Sequence, residues 1–241
     1  MQEGVMSYIE DAFTNVYTSL PAVVVNVHNG FQDQRIDAQP SINTKYKNGT
    51  NTEHPAILHV PVIMPASSTS AVLFPLNVGD TVLLVFSQRG LDAFKSGNGL
   101  PTTPTDFRKF DKRDAFAIPG AFPFTKAPNN PAKHALPHST SDMVVVHNLG
   151  TAQECEVRLK QNGDINITTS ANVNVNAEQA NVVATTANVT ADVNITGDVD
   201  ITGNVTVTGT MSATTVVQSS NNITLGTHKH SPAGTPPVSG T

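Results

Sequence analysis

Two histidines near the end of the chain, His228 and His230, stand one residue apart. On an extended backbone that spacing turns both rings to one side and Lys229 to the other. Two imidazoles facing one way can ligate a transition-metal ion, but two donors do not fill its coordination sphere. Three copies of the chain about a threefold axis would supply six nitrogens, an octahedral set suited to a first-row ion such as Fe(II) or Ni(II). An isolated His-x-His is common without a metal, so the reading depends on whether the preceding residues bring three chains together. His28, His54, His59, His134, His138 and His147 show no such spacing and read as ordinary structural residues.

Other chemistry finds little support. The carboxylates Asp164, Glu178, Asp192, Asp198 and Asp200 all fall on even positions of an alternating stretch whose odd positions are apolar, so they face water. A sugar-cleaving site needs two carboxylates opposed across a groove, commonly with aromatics to stack the sugar, and no Phe, Tyr or Trp follows Phe124. Cys155 lies between Glu154 and Glu156, the opposite of the electropositive setting that a nucleophilic cysteine uses. No phosphate-cradling glycine loop and no Ser-His-Asp arrangement is present. We expect no catalytic residues.

The element that must position the histidine pair is the stretch Asp164–Gly209. Its odd positions run Ile165, Ile167, Thr169, Ala171, Val173, Val175, Ala177, then Val189, Ala191, Val193, Ile195, Gly197, Val199, Ile201, Gly203, Val205 and Val207. Its even positions are nearly all Asn, Thr, Ser, Asp or Glu. The alternation blurs once, at Ala180, Val182 and Ala184, and resumes in the same phase. Period two marks a strand with one dry face, and ordinary strands sustain it for about 4–8 residues. Near the end the pattern resolves into six-residue repeats beginning at Ile195, Ile201 and Val207, the mark of an array. The dry residues are small and no turn brings the chain back on itself, so one chain cannot satisfy its own backbone groups. Three identical chains wound about one axis can, each pointing its odd side chains inward. A single-chain parallel β-helix is the alternative, but that fold uses longer coils with a turn in each. One detail needs a register slip: Ile223 and Leu225 keep the odd parity while His228 and His230 are even, and Gly226 is the place for it.

Length and composition bound the rest. The 241 residues suffice for two domains. Hydrophobic residues make up 38% and aromatics 5%, and the aromatics are confined to residues up to Phe124, so the two halves must have different cores. A net charge of −5 argues against a nucleic-acid partner. A single cysteine excludes an internal disulfide framework. The N-terminus lacks the basic start and apolar run of a signal peptide, so synthesis in a cytoplasm without export by that route is expected.

Residues 1–20 carry Val5, Ile9, Phe13, Val16 and Leu20 at the spacing of a short amphipathic helix or tether, which Pro21 would end. Val23, Val25 and Val27 alternate as a strand, Asn29-Gly30 signals a tight turn, and Arg35–Ser41 reads as a second strand. Residues 43–54 form a polar loop. Ile57 to Ile63 is a proline-punctuated strand, and Val82–Phe86 is a buried strand after the Gly79-Asp80 turn. Short strands at this spacing point to a small barrel. Residues 99–140 are proline-rich and read as extended connection, apart from Asp114–Gly120. Met143–His147 and Val157–Lys160 are strands that enter the alternating stretch.

In this order, Leu20-Pro21 before the alternating valines, Asp37-Ala-Gln-Pro40, His59-Val-Pro-Val62, Phe74-Pro-Leu-Asn-Val-Gly-Asp80 and Asp114-Ala-Phe-Ala-Ile-Pro-Gly120 resemble the N-terminal domain of phage membrane-piercing spike proteins. The alternating repeat and the tail His228-Lys-His230 resemble the rest of such a spike. The resemblance implies an all-β homotrimer: an OB-type barrel joined to the tail hub and baseplate proteins, an intertwined three-chain β-helix, and a tip that carries one transition-metal ion per trimer, iron (Fe2+), on His228 and His230. It implies a place in the virion tail and, at the tip, contact with the outer membrane of the host. The expected layout is a helix or tether over 1–20, barrel and connection over 21–140, shaft over 141–225 and tip over 226–241. Longer spikes of this family carry a lysozyme domain between barrel and shaft, for which residues 90–140 are too short. A polysaccharide-degrading trimeric tail fibre would place aromatics beside paired carboxylates on the shaft. A trimeric adhesin would carry a signal peptide and a membrane anchor. A secretion-system spike is a close cousin and is usually longer.

Overall fold

The computed structural model describes Phe13 and residues 16–213. The expected tip residues, and most of the expected N-terminal helix, lie outside the described residues. The chain divides into two units, Met1–Asn176 and Ala177–Thr241.

The first unit is built on a five-stranded antiparallel sheet. Its strands are β1 (Ser19–Val27), β2 (Arg35–Pro40), β5 (Ile57–Pro61), β6 (Thr81–Phe86) and β7 (Ala115–Pro119), in the order β5-β2-β1-β6-β7. The sheet curls until its two edges meet. Val62, just after β5, bridges Ala117 of β7, and the Ile63 N–H donates to the Ala117 carbonyl at 2.8 Å. Alternation along each strand places Ala22, Val24, Ile36, Ala38, Val60, Val82, Leu84, Ala115 and Ala117 in one core. Register stacks them directly, with Ala22 opposite Val82, Leu84 opposite Ala117 and Ile36 opposite Val60.

The Asn29-Gly30 turn forms as read, with both residues at positive φ. Within the polar loop, β3 (Thr44–Lys45) and β4 (Asn51–Thr52) make a small hairpin. A short helix, α1 (Asp92–Lys95), follows β6. Pro21 does not follow a helix: it sits inside β1, which begins at Ser19. Its missing N–H costs nothing there. Pairing with β2 starts one residue later, at Ala22–Pro40, and Pro21 contributes only its carbonyl, which accepts from Ser41 N–H at 2.8 Å.

A second antiparallel sheet lies later in this unit, in the order β10-β9-β8: β8 (Met143–His147), β9 (Cys155–Leu159) and β10 (Ile165–Thr168). From Thr169 to Ala213 the chain holds neither helix nor strand. In the second unit Gly197 and Gly203, the third residues of two six-residue repeats, have φ of 139° and 154°, a region L-residues rarely enter. Among the described residues no helix is long and apolar enough to cross a membrane.

Candidate assembly interface

Register builds two apolar rows across the second sheet. Met143, Leu159 and Ile165 form one; Val145, Val157 and Ile167 form the other. In an ordinary domain this face would be the dry one. Here all six side chains are between 39% and 67% exposed. The opposite face is the buried one, and it carries charge.

On that opposite face Arg158 makes two 2.9 Å hydrogen bonds to the Glu156 carboxylate and lies 3.6 Å from Asp142, and both Glu156 and Arg158 are buried. The Glu156 carboxylate, through its hydrogen bonds, holds the Arg158 guanidinium above its ordinary range. Beside them Glu154 accepts from the backbone N–H groups of Ala135, Leu136 and Gly150 at 2.7, 3.4 and 2.6 Å, and lies 3.2 Å from the His134 ring. Burial alone would push the Glu154 carboxyl up; the three N–H donors and His134 outweigh it and hold it below the usual carboxylate range. The proline-rich connection thus supplies the cover for this face. Gly150 admits it, because a Cβ there would lie 2.6 Å from the Lys133 carbonyl oxygen.

His134 and His138 stack in parallel with centroids 3.7 Å apart. Burial, with the charges of His134 and Arg158, holds the His138 ring below its ordinary value. His134, Glu154 and Glu156 come close enough to suggest a metal cluster. They do not offer one: the four lone-pair directions of Glu154 meet donors, and Glu156 faces Arg158 through both oxygens.

A second charged cluster anchors the curled sheet. Asp114, 1% exposed, accepts from Leu91 N–H at 2.9 Å and from Arg108 Nε at 3.1 Å. Arg108 also reaches Asp92 at 2.6 Å and Asp106 at 2.9 Å. Asp114 opens one of the motifs that carried the family resemblance. Its partner Arg108 sits in the connection and showed no signal in the sequence.

His228 and His230 lie outside the described residues. The shaft carboxylates Asp164, Glu178, Asp192, Asp198 and Asp200 are exposed. The histidines read as unpaired do form pairs: His134 with His138, and His28 with His59, whose centroids are 4.7 Å apart.

Residues 20–120 match the family model described as Phage protein Gp138 N-terminal domain. The match runs from the second residue of β1 to the residue after β7, so it covers all of the curled sheet but Ser19. The similarity is to a phage protein and points to a structural component of a virion. No curated protein matches the chain. The matched residues include Asp37, His59, Asp80 and Asp114 from the motifs read in the sequence; the second sheet and the repeat lie beyond them.

Proposed function

We propose that the chain is the central spike of a contractile phage tail, a homotrimer that punctures the outer membrane of its host. The observation that carries this reading is the inverted second sheet. Its exposed apolar rows use odd positions, and the same parity continues through Val173, Val175, Val189, Val193, Ile195, Val199, Ile201, Val205 and Val207, all of them exposed in the single chain. Exposed apolar residues kept in one parity over so much of the sequence mark an assembly face. Three copies about one axis bury it as the core of an intertwined β-helix. Each fully buried Val, Ile or Leu contributes roughly 1.5–3 kcal/mol before ordering entropy is subtracted.

In this reading the Gp138-type domain is an OB-type barrel that joins the spike to hub and baseplate proteins. The shaft is mechanical and carries no catalytic residues. Between Gln161 and Thr227 it holds five acidic residues and no Lys or Arg, which keeps a needle of bare β-structure soluble. At the tip, His228 and His230 of three chains hold one transition-metal ion, iron by the family resemblance, which ties three ends together where the apolar core has run out. The deciding experiment is sedimentation of the purified full chain. A species of three chains is expected; a stable folded monomer at micromolar concentration overturns the proposal.

A further inference from the structure

Two breaks in strand register meet at Asp37. The β1–β2 ladder slips between Val24 and Asn26, and the β2–β5 ladder slips between Ile36 and Ala38. Asp37 is left opposite a bulge on either side. Bulges of this kind re-aim side chains beside functional sites. On the β5 side His59 takes φ of +54°, a left-handed conformation that strains a non-glycine residue. That conformation turns its N–H onto Asp37 Oδ1 at 2.8 Å.

The Asp37 side chain is 11% exposed, and three neighbouring groups orient its carboxylate. Asn26 Nδ2 donates to Oδ2 at 3.1 Å. His28, from the turn after β1, places Nε2 2.7 Å from Oδ1. Burial would push the Asp37 carboxyl up; the His28 ring, the His59 N–H and the Asn26 amide outweigh it, so the group stays ionised. One ring nitrogen of His28, one of His59 and one oxygen of Asp37 all lie within 4.8 Å of one another. His59 is exposed, so the group opens to solvent on one side.

We infer that His28, Asp37 and His59 form a binding site for a divalent transition-metal ion, one per chain. Two imidazoles and one carboxylate select zinc, cobalt, nickel or iron over calcium and magnesium, which take oxygen ligands. Water completes the coordination on the open side. Donors about 2.0–2.1 Å from a tetrahedral ion lie roughly 3.4 Å apart. Binding therefore moves the His28 ring back slightly, and the metal takes the place of any proton on Nε2. Asn26 holds the carboxylate from behind, as outer partners of metal ligands do. The ion would pin the first turn to β5 across the bulges.

The site is tested on the full chain with His228→Ala and His230→Ala, which removes the proposed tip ligands. The protein is stripped with chelator and titrated with Co2+, and the visible absorption of bound cobalt is followed. The expected result is saturation at one Co2+ per chain. His59→Asn abolishes it; asparagine tolerates the left-handed backbone, so the fold survives, as circular dichroism of the variant would show. Asn26→Ala weakens it by about 10- to 100-fold. No saturable cobalt signal, or a signal unchanged in the His59→Asn chain, overturns the inference and leaves Asp37 as a carboxylate that secures two bulges.

Discussion

Glu156 and Arg158 stand two residues apart on β9 and form a bidentate pair at 2.9 Å on the covered face of the second sheet, which leaves Val157 between them on the open face. The strand is thus charged inside and apolar outside within one copy. That inversion is stable only if the open face is covered by something else, and the cover proposed is two further copies.

Val157→Asp and Val193→Asp follow from this. In a single chain both positions are exposed, so each change should leave the curled sheet folded. In the assembly each would bring three carboxylates into a dry core, at several kcal/mol per ion. Sedimentation velocity should show loss of the three-chain species. Asn194→Asp, on the opposite parity, should assemble normally. Normal assembly of both valine variants would show that the odd face is not the core.

Arg108 should matter more than its surface position implies. Arg108→Met leaves Asp114 buried with the Leu91 N–H but no cation. Breaking a buried pair in this way costs about 3–5 kcal/mol. The thermal unfolding transition of the curled sheet should fall by many degrees. Arg113→Met, whose partner Asp111 lies nearer solvent, should shift it little. Equal effects would mean that burial of Asp114 is not what makes the Arg108 contact important.

Acid should weaken the packing of the proline-rich connection in two steps. His138 is held below its ordinary 6.5, so the unfolded chain binds the proton more readily and stability is lost as pH falls below about 6.5. Glu154 is held below its ordinary 4.5, so its contribution is present above that pH and disappears as pH falls through its lowered value. Asp111, held at about 2 by the Arg113 guanidinium, adds a loss at the acid extreme. Melting temperature measured against pH should show the upper step shrink in His138→Gln, with the lower one retained. An identical profile in that variant would remove His138 from the account.

The proposed tip predicts a different metal stoichiometry from the barrel. With the barrel site removed by His59→Asn, one ion per three chains should remain, and His230→Ala should remove it while the trimer persists. Imidazole ligates when neutral, so this ion should leave as pH falls below about 6. Metal analysis of wild-type protein purified without chelator decides it: no bound metal would rule out the tip site.

Alternation along the chain was enough to show where β6 and β8 run, and Asn29-Gly30 was legible as a turn. These are local matters, set by the two-residue period of a strand and by the positive φ of a tight turn. Parity was read for the repeat and not for β8 and β9, which were legible only as strands that enter it. It could not say which face would be covered inside one chain. That was decided by the connection folding onto Glu154, Glu156 and Arg158, because burial depends on what packs against a strand and not on the strand. Pro21 in the same way read as a helix stop and became part of β1, since the ladder it would have broken begins one residue later. His28, Asp37 and His59 lie too far apart in sequence for any spacing rule to join them. Antiparallel pairing of three strands and two bulges placed them together, and only the tertiary structure contains that information.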